Sequence, residues 1–364
     1  MSQYTPRLSA ESLLDKVVLI TGGANGIGAS LVQQCLQSGA NVCFGDLDNI
    51  SGERLLRISQ DQFHPAEEGM PPRVVFQTTD VTNYQSVLAL FDLAFETYRR
   101  IDHVVSAAGI IEIGNWFDFG LTMQTIRQER QKVTILIKTP THKVLDVNLL
   151  GSMYVSRIAS VYLRHNRGPD VDRSILLFSC MAGFKESPSL FVYQAAKHGV
   201  TGLMRSLRTY ISSPYKHNLR VNTVCPWITQ TDSMKKIELQ WKQANLPSNT
   251  PQEVASVAAG VLTDQSLNGT SMYVEGGRAW EIEQNIDRLE AQWLGETPSK
   301  SLAMGQALLD DGAIWTAPPR PRKKSSISNG VPPGVPPQKV KGIHKDSING
   351  VTNGVTNGLT NGAH

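Results

Sequence analysis

VVLITGGANGIGASLVQQCLQSGANVCFGD, residues 17–46, decides the fold by its order. VVLIT (17–21) and NVCFG (41–45) are short apolar, β-branched runs, and between them lies a helix-length segment over 26–38. Strand, glycine turn, helix, strand is the start of a parallel βαβ unit. The turn itself is TGGANGIG (21–28), with glycines spaced GxxxGxG. Gly22, Gly26 and Gly28 allow a tight turn and a close approach of backbone to a ligand. The helix that opens there presents free N–H groups and a positive dipole end. A pyrophosphate fits such a place, and Gly22, Asn25, Gly26, Ile27 and Gly28 are its candidate contacts; the bland alternative is a structural turn. Asp46 closes the second strand 18 residues after Gly28, where a carboxylate takes ribose hydroxyls. It would repel a 2′-phosphate, and the loop has no Arg or Lys, so the expected cofactor is NAD rather than NADP. Asp48 is a rival, and a turn-forming role for Asp46 stays open.

Outward from this unit, further strand candidates are RVVFQ (73–77), HVVSA (103–107), SILLFS (174–179), RVNTV (220–224) and SMYV (271–274). Helix-length stretches at 83–99, 142–165 and 190–212 alternate with them. Continuously apolar strands are buried on both faces, as in a parallel sheet covered by helices. The expected fold class is α/β: one doubly wound Rossmann-type domain over 1–296 with a mainly seven-stranded parallel sheet. From about Thr297 the composition turns to Pro, Gly, Ser, Asn and Lys, with VPPGVPP (331–337) and a four-residue repeat over 349–362. Such a segment cannot bury a core, so a disordered tail is expected over 297–364, with LAMGQALLDDGAIW (302–315) as a stretch able to dock.

The 364 residues carry 35 basic and 32 acidic side chains and are 40% apolar. That balance excludes a nucleic-acid or acidic-membrane binder driven by charge. Seven Lys or Arg and one Asp fall within 320–346, so the remaining residues sum to a net −3. RPRKK (320–324) reads as a nuclear signal or, more simply, as a solvated charge run. Four scattered cysteines and no CxxC pair exclude a disulfide scaffold or Cys-rich zinc site. No apolar run spans a bilayer, and the N-terminus lacks a secretory apolar stretch. A cytoplasmic protein without metal is expected. RQKVTILIKT (130–139) interrupts a loop-to-helix transition and reads as a surface insertion or as translated intron.

Tyr193 and Lys197 form YQAAK, four residues apart on one face of a predicted helix. A phenol titrates near 10, and a neighbouring ammonium favours its ionised form. The pair suits addition or removal of an alcohol proton; alone it is more often a surface helix pair. With the glycine loop in the right order, the chain resembles the short-chain dehydrogenase/reductase family over about 12–285. The resemblance implies that Tyr193 is the proton donor and acceptor. Lys197 supports it and holds the nicotinamide ribose, and Asn148 in LDVNLLG helps hold a relay water. It also implies that Asp80 and Val81 of DVT contact the adenine. Ala107 of SAAG offers backbone to the cofactor, and Thr229 and Thr231 of PWITQTD hold the carboxamide end.

This chain departs from the family pattern in three places. Cys180 occupies the position of the family's serine, while Ser179 lies one residue too early and would point the other way on extended backbone. A thiol is a weak donor beside a hydroxyl. SAAG stands where NNAG is usual, and Trp227 replaces the glycine after Pro226. GNWFD (114–118), GFKESPSLFVYQAAKHGVTGLMRSLR (183–208) and GTSMYVEGGRAWEIE (269–283) resemble fungal secondary-metabolite members. The resemblance implies an NAD(P)-dependent interconversion of secondary alcohol and ketone on a bulky polyketide or terpenoid substrate, and a homodimer or homotetramer. Gln230–Pro251 reads as a substrate lid or as an ordinary amphipathic surface helix. The competing reading of the whole is a catalytically weak NAD(P)-binding sensor or scaffold, favoured by Cys180 and the basic tail.

Overall fold

The computed structural model describes residues 3–309, apart from 66, 115–116, 118, 131–139, 166, 169–170 and 212–216. Among the described residues nine strands form one sheet: β1 (Gln3–Tyr4), β2 (Val17–Thr21), β3 (Asn41–Asp46), β4 (Val74–Thr78), β5 (His103–Ser106), β6 (Ser174–Phe178), β7 (Arg220–Pro226), β8 (Ser271–Glu275) and β9 (Arg278–Glu281). Their order is β1-β9-β8-β7-β6-β5-β2-β3-β4. The seven strands β2 to β8 are mutually parallel, as expected. The sheet gains two short antiparallel strands at one edge, with β9 on β8 and β1 on β9. Two residues of strand leave almost no periodic signal, so β1 had no signature in sequence.

Alternate residues of each buried strand face opposite cores. Val18 and Ile20 of β2 join Leu31 and Val32 of α1 (Gly26–Gln37) and Val254 and Ala258 of α9 (Pro251–Thr263). Leu19 faces the other way, with Val87 and Phe91 of α3 (Tyr84–Tyr98), Val155 of α6 (Gly151–Tyr162) and Val200 and Met204 of α7 (Phe191–Tyr210). α2 (Asn49–Gln62) lies along β4. The remaining helices are short or peripheral: α4 (Met123–Arg130), α5 (Pro140–Leu145), α8 (Glu238–Gln243), α10 (Glu283–Arg288), α11 (Glu290–Leu294) and α12 (Glu296–Leu309).

Two expectations change. The single helix expected over 142–165 is α5, one π-helical turn at Asp146–Leu150, and α6. The tail boundary at 297 falls inside α12, which runs to Leu309. The repeat, the RPRKK run and the end of the 302–315 stretch lie outside the described residues, as does 131–139 of the interrupting segment. At the carboxyl ends of the strands, β2 sits between β3 and β5, and the chain turns in opposite directions from it. That reversal opens the crevice where doubly wound sheets take ligands.

Candidate active site

The glycine loop is closed by backbone at Gly22 and Gly28. Gly22, at φ +74°, donates its N–H to Gly45 O at 2.7 Å, and a Cβ there would lie 2.4 Å from Ala108 N. A Cβ on Gly28 would lie 1.9 Å from Gly22 O. The side chain of Ile27 is partly buried and packs against the core, while its backbone lies in the first turn of α1. Asn25 precedes α1 in extended backbone and makes no side-chain cap, so the first N–H groups of the helix are left to an anion. Its amide instead donates to Asp48 Oδ2 at 3.0 Å. The methyl of Thr231 covers Gly26, 3.3 Å from where a Cβ would sit.

Asp46 ends β3, half-buried. Its Oδ2 accepts from Ala24 N and its Oδ1 from Asp48 N, both at 3.0 Å, so it braces the glycine loop and keeps free lone pairs. The rival Asp48 is committed elsewhere: it caps α2 through Ser51 N at 3.1 Å. That bond, with Asn25 adding to it, holds its exposed carboxyl down at about 2. Asp80 turns its Oδ1 onto Thr82 N and Oγ1 at 2.9 and 2.8 Å, shaping the turn after β4, and Val81 packs against Gly151. Ala107 offers only backbone, and its N–H is spent on Thr21 O. These residues fit a dinucleotide: a cradle without side chains, uncapped helical N–H groups, and a carboxylate at the end of the second strand.

On the other side of the crevice stand the polar residues of the expected constellation. Tyr193 is the third residue of α7, and Lys197 follows one turn later with Nζ 5.6 Å from the Tyr193 ring centre. Lys197 is buried, and its Nζ donates to Phe178 O at 2.9 Å. Asn148 lies in the π-helical turn, a distortion frequent at functional sites. It clasps Ile110 with both ends of its amide, Oδ1 accepting from Ile110 N at 2.8 Å and Nδ2 donating to Ile110 O at 2.9 Å. A Cβ on Gly109 would lie 3.3 Å from Asn148 Oδ1 and 3.6 Å from Lys197 Nζ. Glycine at 109 thus keeps open a space flanked by both groups.

Cys180 and Ser179 separate as strand geometry demands. Ser179 is buried beneath α7, with Oγ donating to Lys197 O and paired with Thr201 Oγ1, both at 3.0 Å. The structure does not bring it to the site, which removes it as a contact for a reacting oxygen. Cys180 is half-buried and neighbours the Tyr193 hydroxyl. Burial pushes the Tyr193 phenol well above its ordinary range, and Cys180 and Cys225 push the same way. Burial lowers Lys197, with Cys180 and Cys225 opposing. The expected lowering of Tyr193 by Lys197 is not found: burial first, then Cys180 and Cys225, raise the phenol, which holds its proton, the state a proton donor needs. The arrangement groups a buried cation, a protonated phenol, a thiol and an amide: Lys197 and Asn148 flank Gly109, and the neighbouring Ala107 and Ala108 abut Gly22 of the dinucleotide cradle. Chemically it can give a proton to an oxygen or take one from it.

The family model for short chain dehydrogenase matches residues 16–242. The chain is 30% identical over 275 residues to the short-chain dehydrogenase/reductase ascJ of Acremonium egyptiacum, covering 76% of this chain and 83% of that protein. The chain belongs to the short-chain dehydrogenase/reductase family. Its enzymes are oxidoreductases acting on CH–OH groups with NAD or NADP. A second fungal relative, 5′-hydroxyaverantin dehydrogenase of Dothistroma septosporum, is 25% identical over 81% of this chain and 95% of its own. Among solved structures, 3-ketoacyl-(acyl-carrier-protein) reductase from Brucella melitensis complexed with NADH shares the fold. It has a TM-score of 0.59 at 20% identity and covers 73% of this chain and 97–98% of the matched length, as does gox2181 at 24% identity.

Two residues of this family member escaped sequence reasoning. Asn249 is fully buried and stitches the 226–231 stretch to its surroundings. Its Nδ2 donates to Ile228 O at 3.2 Å and Val274 O at 3.0 Å, while its Oδ1 accepts from Gly277 N at 3.1 Å. Thr229 pairs with it as an isolated bridge, and Thr229 Oγ1 turns back to Trp227 O at 3.0 Å, so Thr229 is held chiefly for its backbone. The Thr231 hydroxyl likewise turns to Thr229 O, at 3.4 Å. Glu112, the second, reaches the first turn of α7 from the segment after β5. A polar residue in a loop carries no local signal of a partner some eighty positions away. The expected lid holds a 3-10 turn at Asp232–Met234 and the short helix α8, and Trp227 meets Trp241 of that helix edge-on, ring centres 6.1 Å apart. Among the described residues no helix is long and apolar enough to cross a membrane, and no group of three His, Cys, Asp or Glu could hold a metal.

Proposed function

We propose that this enzyme uses NAD to interconvert a secondary alcohol and a ketone on a bulky, mostly apolar polyketide or terpenoid substrate. One observation carries the reading: Tyr193 stands by Lys197 and Cys180, Lys197 and Asn148 flank Gly109, and Ala107 and Ala108 just before it abut Gly22 of the glycine cradle. When bound, the nicotinamide ring gives or accepts the hydride. In the reducing direction the Tyr193 hydroxyl gives its proton to the carbonyl oxygen as hydride arrives at carbon, so a C–H and an O–H bond form together. Lys197 stabilises the phenolate left behind, and Asn148 holds the loop that borders the oxygen. Cys180 donates to the same oxygen in place of the family's serine. Oxidation runs the same steps backwards.

Asp46 supports NAD over NADP, since its carboxylate stands at the ribose end with no cation beside it in the loop. Trp227, Trp241 and the exposed Ile113, Phe117 and Leu239 support a large apolar substrate. The names of the two fungal relatives agree with secondary metabolism. A homodimer or homotetramer fits the exposed apolar Met153 and Val161 on α6, and the four free cysteines fit the reducing cytoplasm. The test is NADH consumption at 340 nm with a fused-ring ketone such as α-tetralone, with NADPH in parallel. Turnover with NADH at least tenfold faster than with NADPH supports the reading. Tight NADH binding with no turnover of any bulky ketone favours the second reading, a weak cofactor-binding sensor, for which the thiol at Cys180 is the supporting feature.

A further inference from the structure

We infer that Glu112 is a positioning residue, a carboxylate clamp that sets where Tyr193 stands. α7 begins without a side-chain cap of its own: Leu190 precedes it and caps nothing. The first N–H groups of a helix have no intrahelical partner and must find one. Here Glu112 Oε2 accepts from Val192 N at 2.7 Å and from Tyr193 N at 3.0 Å. The carboxylate also faces the positive end of the helix. It arrives from a different part of the chain, since Glu112 follows β5 and lies two residues past Ile110. Ile110 is the residue that Asn148 clasps from both edges. One short loop is therefore tied at Ile110 to Asn148 and at Glu112 to the backbone of Tyr193 itself.

The tie is buried. Glu112 is 8% exposed, and its second oxygen, Oε1, is buried without a partner. A buried, half-satisfied carboxylate costs stability. Its placement is thus not explained by stability alone; what it adds is a fixed height for the helix turn that carries the phenol. Misplacing a reacting group by about 1 Å can cost about 10²-fold in rate. The inference rests on the reading of Tyr193 as proton donor, and its test separates the two.

The experiment compares the full chain with Glu112→Ala, Glu112→Asp and Glu112→Gln. Amide hydrogen exchange is followed at Val192 and Tyr193, with mid-helix Val200 as the internal reference, and NADH-dependent reduction of α-tetralone is followed alongside. Glu112→Ala is expected to speed exchange at Val192 and Tyr193 by at least tenfold and leave Val200 unchanged. It should lower kcat by about 10- to 100-fold, with KM and the NADH Kd within twofold of the original. Glu112→Asp keeps the charge but is one methylene short, and should behave like alanine; it also serves if the alanine variant does not fold. Glu112→Gln keeps the reach and an accepting oxygen, and should recover kcat to within about fivefold. Unchanged exchange at Val192 and Tyr193 in the alanine or aspartate variant overturns the clamp, as does turnover within twofold of the original. If the original protein does not reduce the ketone, the functional reading fails for that substrate, and amide exchange alone decides the clamp.

Discussion

Gly28→Ala should cost this enzyme its cofactor while leaving it folded. The new methyl would lie 1.9 Å from Gly22 O, 2.8 Å from Gly22 C and 3.2 Å from Gly23 Cα. All three are backbone atoms, so no side chain can swing aside. Gly22 cannot retreat, because its own Cα face is already against Ala108. The loop must shift by more than about 1 Å to restore ordinary contact, and overpacking of this kind costs about 1–3 kcal/mol. The shift pulls Gly22 and Gly23 from Gly45 O, where their N–H groups sit at 2.7 and 3.2 Å. Each lost bond adds about 1 kcal/mol. A loop strained by about 3 kcal/mol no longer presents the first amides of α1 to a pyrophosphate. NADH affinity, read by fluorescence titration, should fall at least 100-fold, that is by about 2.7 kcal/mol. Gly202→Ala is the control: it lies in α7 with open space around it, and should raise the melting temperature slightly and leave NADH binding unchanged. A folded Gly28→Ala protein that binds NADH within threefold of the original would refute the assignment of this loop as the pyrophosphate cradle.

Cys180→Ser replaces a weak donor beside Tyr193 with a good one, and a good donor at a developing oxyanion is worth about 10²–10³ in rate. Part of that is already supplied by the thiol, so kcat should rise about tenfold with serine and fall with Cys180→Ala; equal rates in all three would show that residue 180 does not touch the reacting oxygen. His103, buried at the start of β5 with Nδ1 2.8 Å from Ser174 Oγ, is held at about 4 against 6.5 for an exposed imidazole, chiefly by burial. Asp172, Arg220, Asp102 and Lys16 surround it. The unfolded chain then binds the proton first as pH falls, so stability is full above 6.5 and is lost between 6.5 and 4, to a total of about 3 kcal/mol. Unfolding free energies from urea titrations at pH 7.5 and 5 should differ by about 2 kcal/mol more for the original than for His103→Asn; identical differences would show that His103 does not titrate in this way.

The fold was legible because its signals are local. Four buried apolar residues at 17–20, a glycine turn and an amphipathic helix at 26–37 fall in one stretch, and the same alternation repeats to β8. The polar constellation was legible for the same reason: Tyr193 and Lys197 share a helical face, and strand alternation alone separates Ser179 from Cys180. What sequence could not show depends on distant contacts. The π-helical turn that presents Asn148, the Asn249 stitch and the Glu112 tie to Tyr193 each need partners tens of residues away. The sign of the Tyr193 shift also depended on packing, since it comes from burial and the neighbouring thiols rather than from the lysine four residues on.

The most direct test of the central claim is deuterium transfer from NADH labelled at C4 to a fused-ring ketone, run with the original protein and with Tyr193→Phe. The account predicts deuterium on the carbinol carbon of the product, and a rate reduced by about 10²–10⁴ in the variant at unchanged NADH affinity. Transfer by Tyr193→Phe at the original rate would contradict it.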